Sequence, residues 1–99
     1  MGTQLTADEE LQERIRQAPA QLIATRIKRA RKAAELSHDR LGEQLGGVTR
    51  QHLIKLEKAV HRPRAEMLRR IAEATGRSVD WFLDPEVDPS PFPDGDTGV

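Results

Sequence analysis

Two short amphipathic segments separated by a pair of glycines restrict the fold of this chain more than any other feature of its sequence. The first segment, residues 38–45, follows Ser37, which is a favourable helix N-cap, and carries Leu41 and Leu45 one turn apart on the same face. The pair Gly46–Gly47 then ends it, because glycine reaches the left-handed backbone conformation without steric cost. The pattern predicts a two-turn helix followed by a tight turn.

A second short helix is predicted directly after this turn. Thr49 is a suitable N-cap, and Leu53 and Leu56 lie three residues apart, so that they share one face of the helix. A helix this short is not stable alone in water and must dock through those leucines. The rest of its surface carries Arg50, Gln51, Ile54, Lys55 and Lys58.

Gly42 lies inside the first of these two helices, where glycine costs about 1 kcal/mol relative to alanine. We expect a close crossing of the two helices to require it. Two short helices that cross closely around a tight turn form a helix-turn-helix, and the polar, basic outer face of the second helix favours DNA as the partner. The alternative interpretation is a helical hairpin whose charged face is only solvated.

The distribution of charge supports a nucleic-acid partner, although the 99-residue chain has a formal net charge of zero. Residues 22–64 contain eleven Lys and Arg against four Asp and Glu, a net charge of +7. Residues 1–20 carry −2, residues 65–83 are balanced and residues 84–99 carry −5. Clustered positive charge of this kind is expected of a surface that binds phosphates.

Helical periodicity predicts four more helices, three of them over residues 7–17, 20–35 and 65–75 and a last short one after Ser78. Thr6 and Glu9 have the spacing of a capping box for the first of them, Gly76 ends the third, and Ser78 caps the last. The first of these helices has Leu11 and Ile15 as its only strong apolar pair. The residues predicted to point inward from the second and third are Ile23, Ile27, Ala30 and Ala34, and Leu68, Ile71, Ala72 and Thr75, while the last helix contributes Trp81 and Leu83 to the core.

Further residues follow a recognisable spacing along most of the chain. They are Arg31, Leu36–Ser37, Leu41–Gly42, Leu45–Gly46, Val48–Arg50, Leu53, Leu56–Glu57, Arg62–Arg64, Leu68, Ile71–Ala72, Gly76 and Ser78–Leu83. On these residues the chain, from about Leu22 to Leu83, resembles the Cro/repressor-type (XRE) helix-turn-helix family, the DNA-binding domain of lambdoid phage repressors and of many small bacterial regulators.

The resemblance implies an all-α, five-helix, lambda repressor-like DNA-binding domain over residues 20–83. Residues 1–19 are then an N-terminal extension that carries one extra helix. Residues 84–99 combine acidic residues and prolines with little apolar content, so they are predicted to form a disordered tail. Such a tail either competes with non-specific DNA for the basic surface of its own domain or is only a solubilising appendage.

The chain departs from the pattern of the family at two places. The turn holds Gly46–Gly47, one residue more than is usual, which could shift the second helix of the motif relative to the first. The loop over residues 58–61 lacks the glycine that is often found there, so its backbone could follow a different path.

Direct reading of bases is expected from the N-terminal half of the second helix of the motif, which enters the major groove. Arg50 can donate two hydrogen bonds to guanine, and Gln51 can pair with adenine. Lys55 lies one turn after Gln51 and can reach a guanine or a phosphate. By resemblance, these three residues occupy the positions that contact bases in lambdoid repressors. Ile54 is apolar on this face, and it either contacts a thymine methyl group or packs on the first helix of the motif.

Contacts to the DNA backbone are expected from residues around this helix, namely His38, Thr49, His52, Lys58, His61, Arg62 and Arg64. His38 matches a phosphate-contacting position of the family and lies at a helix N-terminus, where free backbone amides can hold a phosphate. Arg62 and Arg64 resemble arginines of the family that contact the backbone or the minor groove. By the same resemblance, Arg31 and Glu57 form a buried structural ion pair.

Other classes of function are disfavoured by the composition. The chain has no cysteine, and the spacing of its three histidines places no two of them on one helix face as metal ligands. No nucleophile with an adjacent base and no glycine-rich phosphate loop is present, so an enzyme is not expected. No apolar run approaches the ~18 residues of a membrane span. We therefore expect no cofactor, no metal and no membrane, and a cytoplasmic protein associated with the nucleoid.

These features predict a sequence-specific transcriptional regulator, acting as a homodimeric repressor of phage or bacterial origin on a palindromic operator, since a monomer of this size makes too few base contacts for genomic specificity. Leu11, Ile15 and Phe82 are surplus to the predicted core, which suggests a dimer contact near residues 79–85, with the N-terminal helix as the competing interface. An antitoxin-type autoregulator belongs to the same class. A protein-binding adaptor, docking through the N-terminal helix or the acidic tail, is the alternative from another class.

Overall fold

The computed structural model describes residues 4–87, and within this range the chain forms six α-helices and no strand. The all-α class and the extra N-terminal helix are thereby confirmed. The predicted tail lies outside the described residues from position 88 onward. The helices are α1 (Ala7–Gln17), α2 (Ala20–Ala33), α3 (His38–Gln44), α4 (Arg50–Glu57), α5 (Ala65–Thr75) and α6 (Val79–Leu83).

The helix starts follow the local signals of the sequence. Thr6 and Glu9 form a complete capping box at α1. The hydroxyl groups of Ser37, Thr49 and Ser78 accept backbone N–H groups in the first turns of α3, α4 and α6. Each of these bonds satisfies one of the backbone donors that a helix start leaves without a partner.

The end of α2 lies two residues earlier than predicted, at Ala33 rather than at residue 35. Glu35 adopts a left-handed conformation with φ 60°, and the backbone N–H of Leu36 donates to the carbonyl of Arg31. This is the geometry with which helices commonly end, usually at a glycine. Because a glutamate occupies this position, no glycine marks the earlier end of α2.

One hydrophobic core receives side chains from all six helices. Leu22 and Val48 are half-buried. The largest side chains with less than 2% exposure are Ile15, Ile23, Ile27, Leu41, Leu45, Leu53, Leu56, Leu68, Ile71 and Phe82.

The apolar side chains that seemed surplus to this core are part of it. Leu11 is 6% exposed, and Ile15 and Phe82 are fully buried within the same chain. The expectation that they are left over for a dimer contact is therefore wrong. Periodicity identified the apolar face of α1 correctly, but it could not show that α5 of the same chain covers that face.

Polar contacts also fasten α1 to the loop before α5. Arg62 Nη1 donates to the carbonyl oxygens of Ile15 and Ala18, each at 2.6 Å, and so satisfies the C-terminal end of α1. In the opposite direction, Gln12 Oε1 accepts the backbone N–H of Ala65 at 2.9 Å, at the start of α5. The N-terminal helix is thus an integral part of the domain.

The folded domain also includes four residues that the sequence assigned to the tail. Arg26, itself buried, donates to the carbonyl oxygens of Trp81 and Asp84. The backbone N–H of Val87 donates to the carbonyl of Asp84, and the Val87 side chain packs against the core. The sequence did not predict this turn, because the segment is polar in composition and the residue that binds it, Arg26, lies 58 residues away from Asp84 in sequence.

We expect Ile15→Ala to lower the free energy of unfolding by about 2–5 kcal/mol, because it removes a fully buried side chain and leaves a cavity between α1 and α5. Denaturant unfolding followed by circular dichroism measures this change. Gln17→Ala, at an exposed position of the same helix, is the control and should change the value by less than about 0.5 kcal/mol. Equal stability of the two variants would show that α1 does not dock in solution.

Candidate nucleic-acid interface

The connection between α3 and α4 depends on Gly42. A Cβ atom at this position would lie 2.1 Å from the carbonyl oxygen of Val48, a backbone atom that cannot move aside easily. The carbonyl of Gly42 also accepts the backbone N–H groups of Gly47 and Val48, at 2.9 and 3.0 Å. Gly42 is thus required by a close approach, as predicted, but the approaching group is the backbone of the turn before α4 and not helix α4 itself.

The turn between α3 and α4 contains two glycines in left-handed conformations. Gly46 has φ 94° and Gly47 has φ 103°, conformations that residues with a Cβ atom rarely adopt. Leu53 and Leu56 remain fully buried, so α4 docks through the face predicted for it. The glycine pair of the turn is therefore compatible with the docking of α4 through its predicted face.

The loop after α4 makes its turn without a glycine. Ala59 adopts φ 63°, and the backbone N–H of Val60 donates to the carbonyl of Lys55 at 2.9 Å, which closes α4 in the usual left-handed manner. Ala59 thus supplies the conformation that the missing glycine would provide, at a steric cost. Val60 is left 58% exposed beside it.

The outer face of α4 presents the four residues proposed to read bases. Arg50, Gln51 and Lys55 are exposed, whereas Ile54 is half-buried. Arg50 is not free: its Nη2 donates to Asp39 Oδ2 at 2.6 Å and its Nε to Oδ1 at 3.3 Å. This hydrogen bonding holds the pKa of Asp39 below its usual range and raises the pKa of Arg50. The first turns of α3 and α4 are therefore joined at the surface.

A buried ion pair fixes the other end of α4. Arg31 on α2 donates through Nε to Glu57 Oε2 at 2.7 Å and through Nη2 to Oε1 at 3.2 Å, and the two side chains are only 9% and 6% exposed. The third nitrogen, Nη1, donates to the carbonyl of Leu36 at 3.0 Å. Arg31 therefore links α2, the loop that follows it and the last residue of α4.

His38 joins this buried pair from α3. Its Nε2 lies 3.1 Å from Glu57 Oε1, and its side chain is 26% exposed. The ring nitrogen can donate to the carboxylate, so Glu57 binds groups from both α2 and α3. The sequence placed His38 at a phosphate and did not reveal this contact, since no local pattern relates positions 38 and 57.

The remaining candidates for backbone contacts are placed in different ways. Lys58, His61 and Arg64 are exposed, and His52 and His61 stack with their ring centroids 6.3 Å apart, which brings the loop against α4. Thr49 is occupied as the N-cap of α4. Arg62 directs its Nη1 to the end of α1, a structural role that the sequence did not show.

A comparison with protein-family models finds a match to the helix-turn-helix model over residues 27–82, more than half of the chain. The chain belongs to the XRE-type, lambda repressor-like helix-turn-helix family. No curated protein matches it.

Within this helix-turn-helix domain, α3 and α4 are the two helices of the motif, and α1 lies outside the matched range. The family makes the protein a DNA-binding transcriptional regulator, and it is a regulatory family rather than an enzymatic one. Among the described residues no helix is long and apolar enough to cross a membrane. Over the same range, no three His, Cys, Asp or Glu side chains are grouped as they would be to hold a metal ion.

We expect Glu57→Gln to destabilise the domain by about 3–5 kcal/mol, because it leaves the Arg31 guanidinium buried without a carboxylate. The same change at Glu73, an exposed residue of α5, is the matched control and should shift the free energy of unfolding by less than about 0.5 kcal/mol. Denaturant titrations of both variants measure the difference. Similar values for the two would contradict the anchoring role of the pair.

Proposed function

We propose that the protein is a sequence-specific transcriptional repressor that reads operator DNA with the outer face of α4. The observation that carries this proposal is the placement of Arg50, Gln51 and Lys55. All three are exposed on a helix whose opposite face is fully buried through Leu53 and Leu56. A helix that reads bases must expose polar side chains and must be held in a fixed position. The exposed face of α4 meets the first requirement, and its buried face meets the second.

The chemistry of these side chains suggests which bases they read. An arginine can donate to O6 and N7 of guanine, and a glutamine can pair with N6 and N7 of adenine. We assign these roles to Arg50 and Gln51, and a guanine or a phosphate to Lys55. Ile54 is half-buried. Its exposed part is available to a thymine methyl group, and packing on α3 is the other role considered for it.

Contacts to the phosphate backbone are proposed on both sides of α4. Lys58, His61 and Arg64 are exposed, and His52 is held beside His61 by stacking. On the other side, the half-buried ring of His38 and the cap residue Thr49 lie at the starts of α3 and α4. The proposal does not depend on Arg62, whose Nη1 holds the end of α1.

We further propose that two copies bind a palindromic operator. One short reading helix contacts too few base pairs for specificity in a genome, and domains of this type reach it by placing two helices one turn of DNA apart. Leu11, Ile15 and Phe82 are buried in the core of their own chain and are not available to a second copy. We therefore expect two copies to associate only weakly, through residues 79–85 or through α1, until DNA aligns them.

An antitoxin-type autoregulator would use the same interface, whereas a protein-binding adaptor would need another one. The apolar face of α1, which was one basis for the adaptor, is covered by the domain itself. The acidic tail, its other basis, lies mostly outside the described residues. The exposed face of α4 therefore favours the regulator. We also propose that the protein is of phage or bacterial origin and that it lies in the cytoplasm, associated with the nucleoid.

We expect Arg50→Ala and Gln51→Ala each to weaken operator binding by about 1–3 kcal/mol and to relax the preference at one or two base pairs. Binding curves on DNA selected from a random pool measure both effects. Arg69→Ala removes the same charge from α5, where Arg69 pairs with Asp8 of α1, and should leave the base preference unchanged. Wild-type affinity and specificity in both α4 variants, with the fold intact, would exclude α4 as the reading helix.

Footprinting tests the proposed symmetry. We expect two protected half-sites with centres about 10 bp apart, because this spacing presents both major grooves on the same face of the duplex. Sedimentation of the protein with and without operator DNA measures when the dimer forms. Protection of one non-palindromic half-turn, with one protein molecule bound, would contradict the dimer.

A further inference from the structure

The contact between Asp39 and Arg50 has a particular geometry. The carboxylate is held side-on, by the Nε and Nη2 edge of the guanidinium, through the two bonds at 3.3 and 2.6 Å. Asp39 is the second residue of α3 and Arg50 is the first of α4, so the bond joins the two helices at the ends that face DNA in a helix-turn-helix.

This side-on bond leaves the end of the guanidinium available. Arginine has five N–H donors in a rigid, planar fork, and the carboxylate uses one on Nε and one on Nη2. Nη1 and the second N–H of Nη2 point along the side-chain axis as a parallel pair, and neither donates to any residue within positions 4–87. That free pair matches the spacing of O6 and N7 on guanine.

A carboxylate at this position is otherwise unfavourable for DNA binding. Asp39 is one of only four acidic residues in residues 22–64, and its side chain is 57% exposed near the start of α3. An unpaired anion there would repel the phosphates that the neighbouring cations attract. Paired with Arg50, it instead restricts the direction in which a flexible arginine points.

We propose that Asp39 is a specificity-determining residue, which holds Arg50 side-on so that its end-on donors select guanine and do not slip to a phosphate or to another base. This inference rests on the proposed reading role of α4. The competing interpretation is an ordinary surface ion pair that opens when DNA binds, since exposed pairs of this kind are weak.

The test compares base preferences, selected from a random DNA pool, for the wild type and for Asp39→Asn, Asp39→Ala and Arg50→Ala. We expect either change at Asp39 to lower the preference for guanine at one position of each half-site by about threefold or more, which is part of the discrimination given by a bidentate arginine. The alanine variant should show the larger loss, because asparagine keeps one acceptor.

The control removes an equal charge from the same helix. Glu43→Gln changes another exposed acid of α3 to an amide, and it should leave every base preference unchanged. Both amide variants should bind non-specific DNA slightly more tightly at low salt, because each removes a negative charge. In the Arg50→Ala background, Asp39→Asn should have no further effect on base preference, because its action passes through Arg50.

A second measurement needs no DNA. Titration of the Asp39 carboxylate by NMR should show its pKa below the usual range in the wild type and nearer to it in Arg50→Ala, because the hydrogen bond from Arg50 favours the ionised form. Unchanged base preference in the Asp39 variants, with Arg50→Ala still relaxing specificity, would overturn this inference alone. A wild-type protein that selects no sequence would overturn the proposed function together with it.

Discussion

The carboxylate of Glu57 joins α4, the helix proposed to read bases, to α2 and α3. It lies at the last residue of α4, is almost fully buried, and binds Arg31 of α2 and His38 of α3. A buried charge costs free energy unless it is paired and hydrogen-bonded. In the observed arrangement of the three helices this carboxylate is paired on both sides, and a shift of α4 that broke either contact would leave it buried with fewer partners. The buried leucines of α4 also stabilise its docking, but hydrophobic contacts are non-directional and distinguish less between slightly shifted positions of the helix.

The loop after α4 is fixed from a second direction, by α1. Arg62, in this loop, donates to carbonyl groups at the end of α1, and Gln12, in α1, accepts a backbone N–H at the start of α5. The family match begins only at residue 27, so this support comes from outside the matched domain. Because Arg64 lies between the two attachment points, α1 limits where that cation can reach a phosphate. The N-terminal extension thereby supports the loop that carries Arg64, a residue proposed to contact a phosphate.

Sequence reasoning succeeded where the determining signal is local. The cap at Thr49, the stop at Gly76 and the close approach at Gly42 each follow from a few neighbouring residues. It failed where a side chain is committed to a distant partner. Arg62 reaches a helix 44–47 residues away in sequence, and no periodicity reveals such a pairing. The bond between Asp39 and Arg50 spans only 11 residues, but it was missed because the turn between them determines whether they meet.

The distinction between local signals and distant partners also affects how the positive charge of residues 22–64 is interpreted. The net +7 of residues 22–64 counts every arginine equally, yet Arg26 and Arg31 are buried on carbonyl and carboxylate groups, and Arg62 serves α1. The guanidiniums of Arg26 and Arg31 stabilise the fold and add only to the long-range field, and Nη1 of the exposed Arg62 is occupied by the end of α1. Each phosphate that a cation contacts contributes about −0.9 to the slope of log K against log salt. The salt dependence of binding therefore reports the exposed cations around α4, and counting charges in the sequence overestimates it.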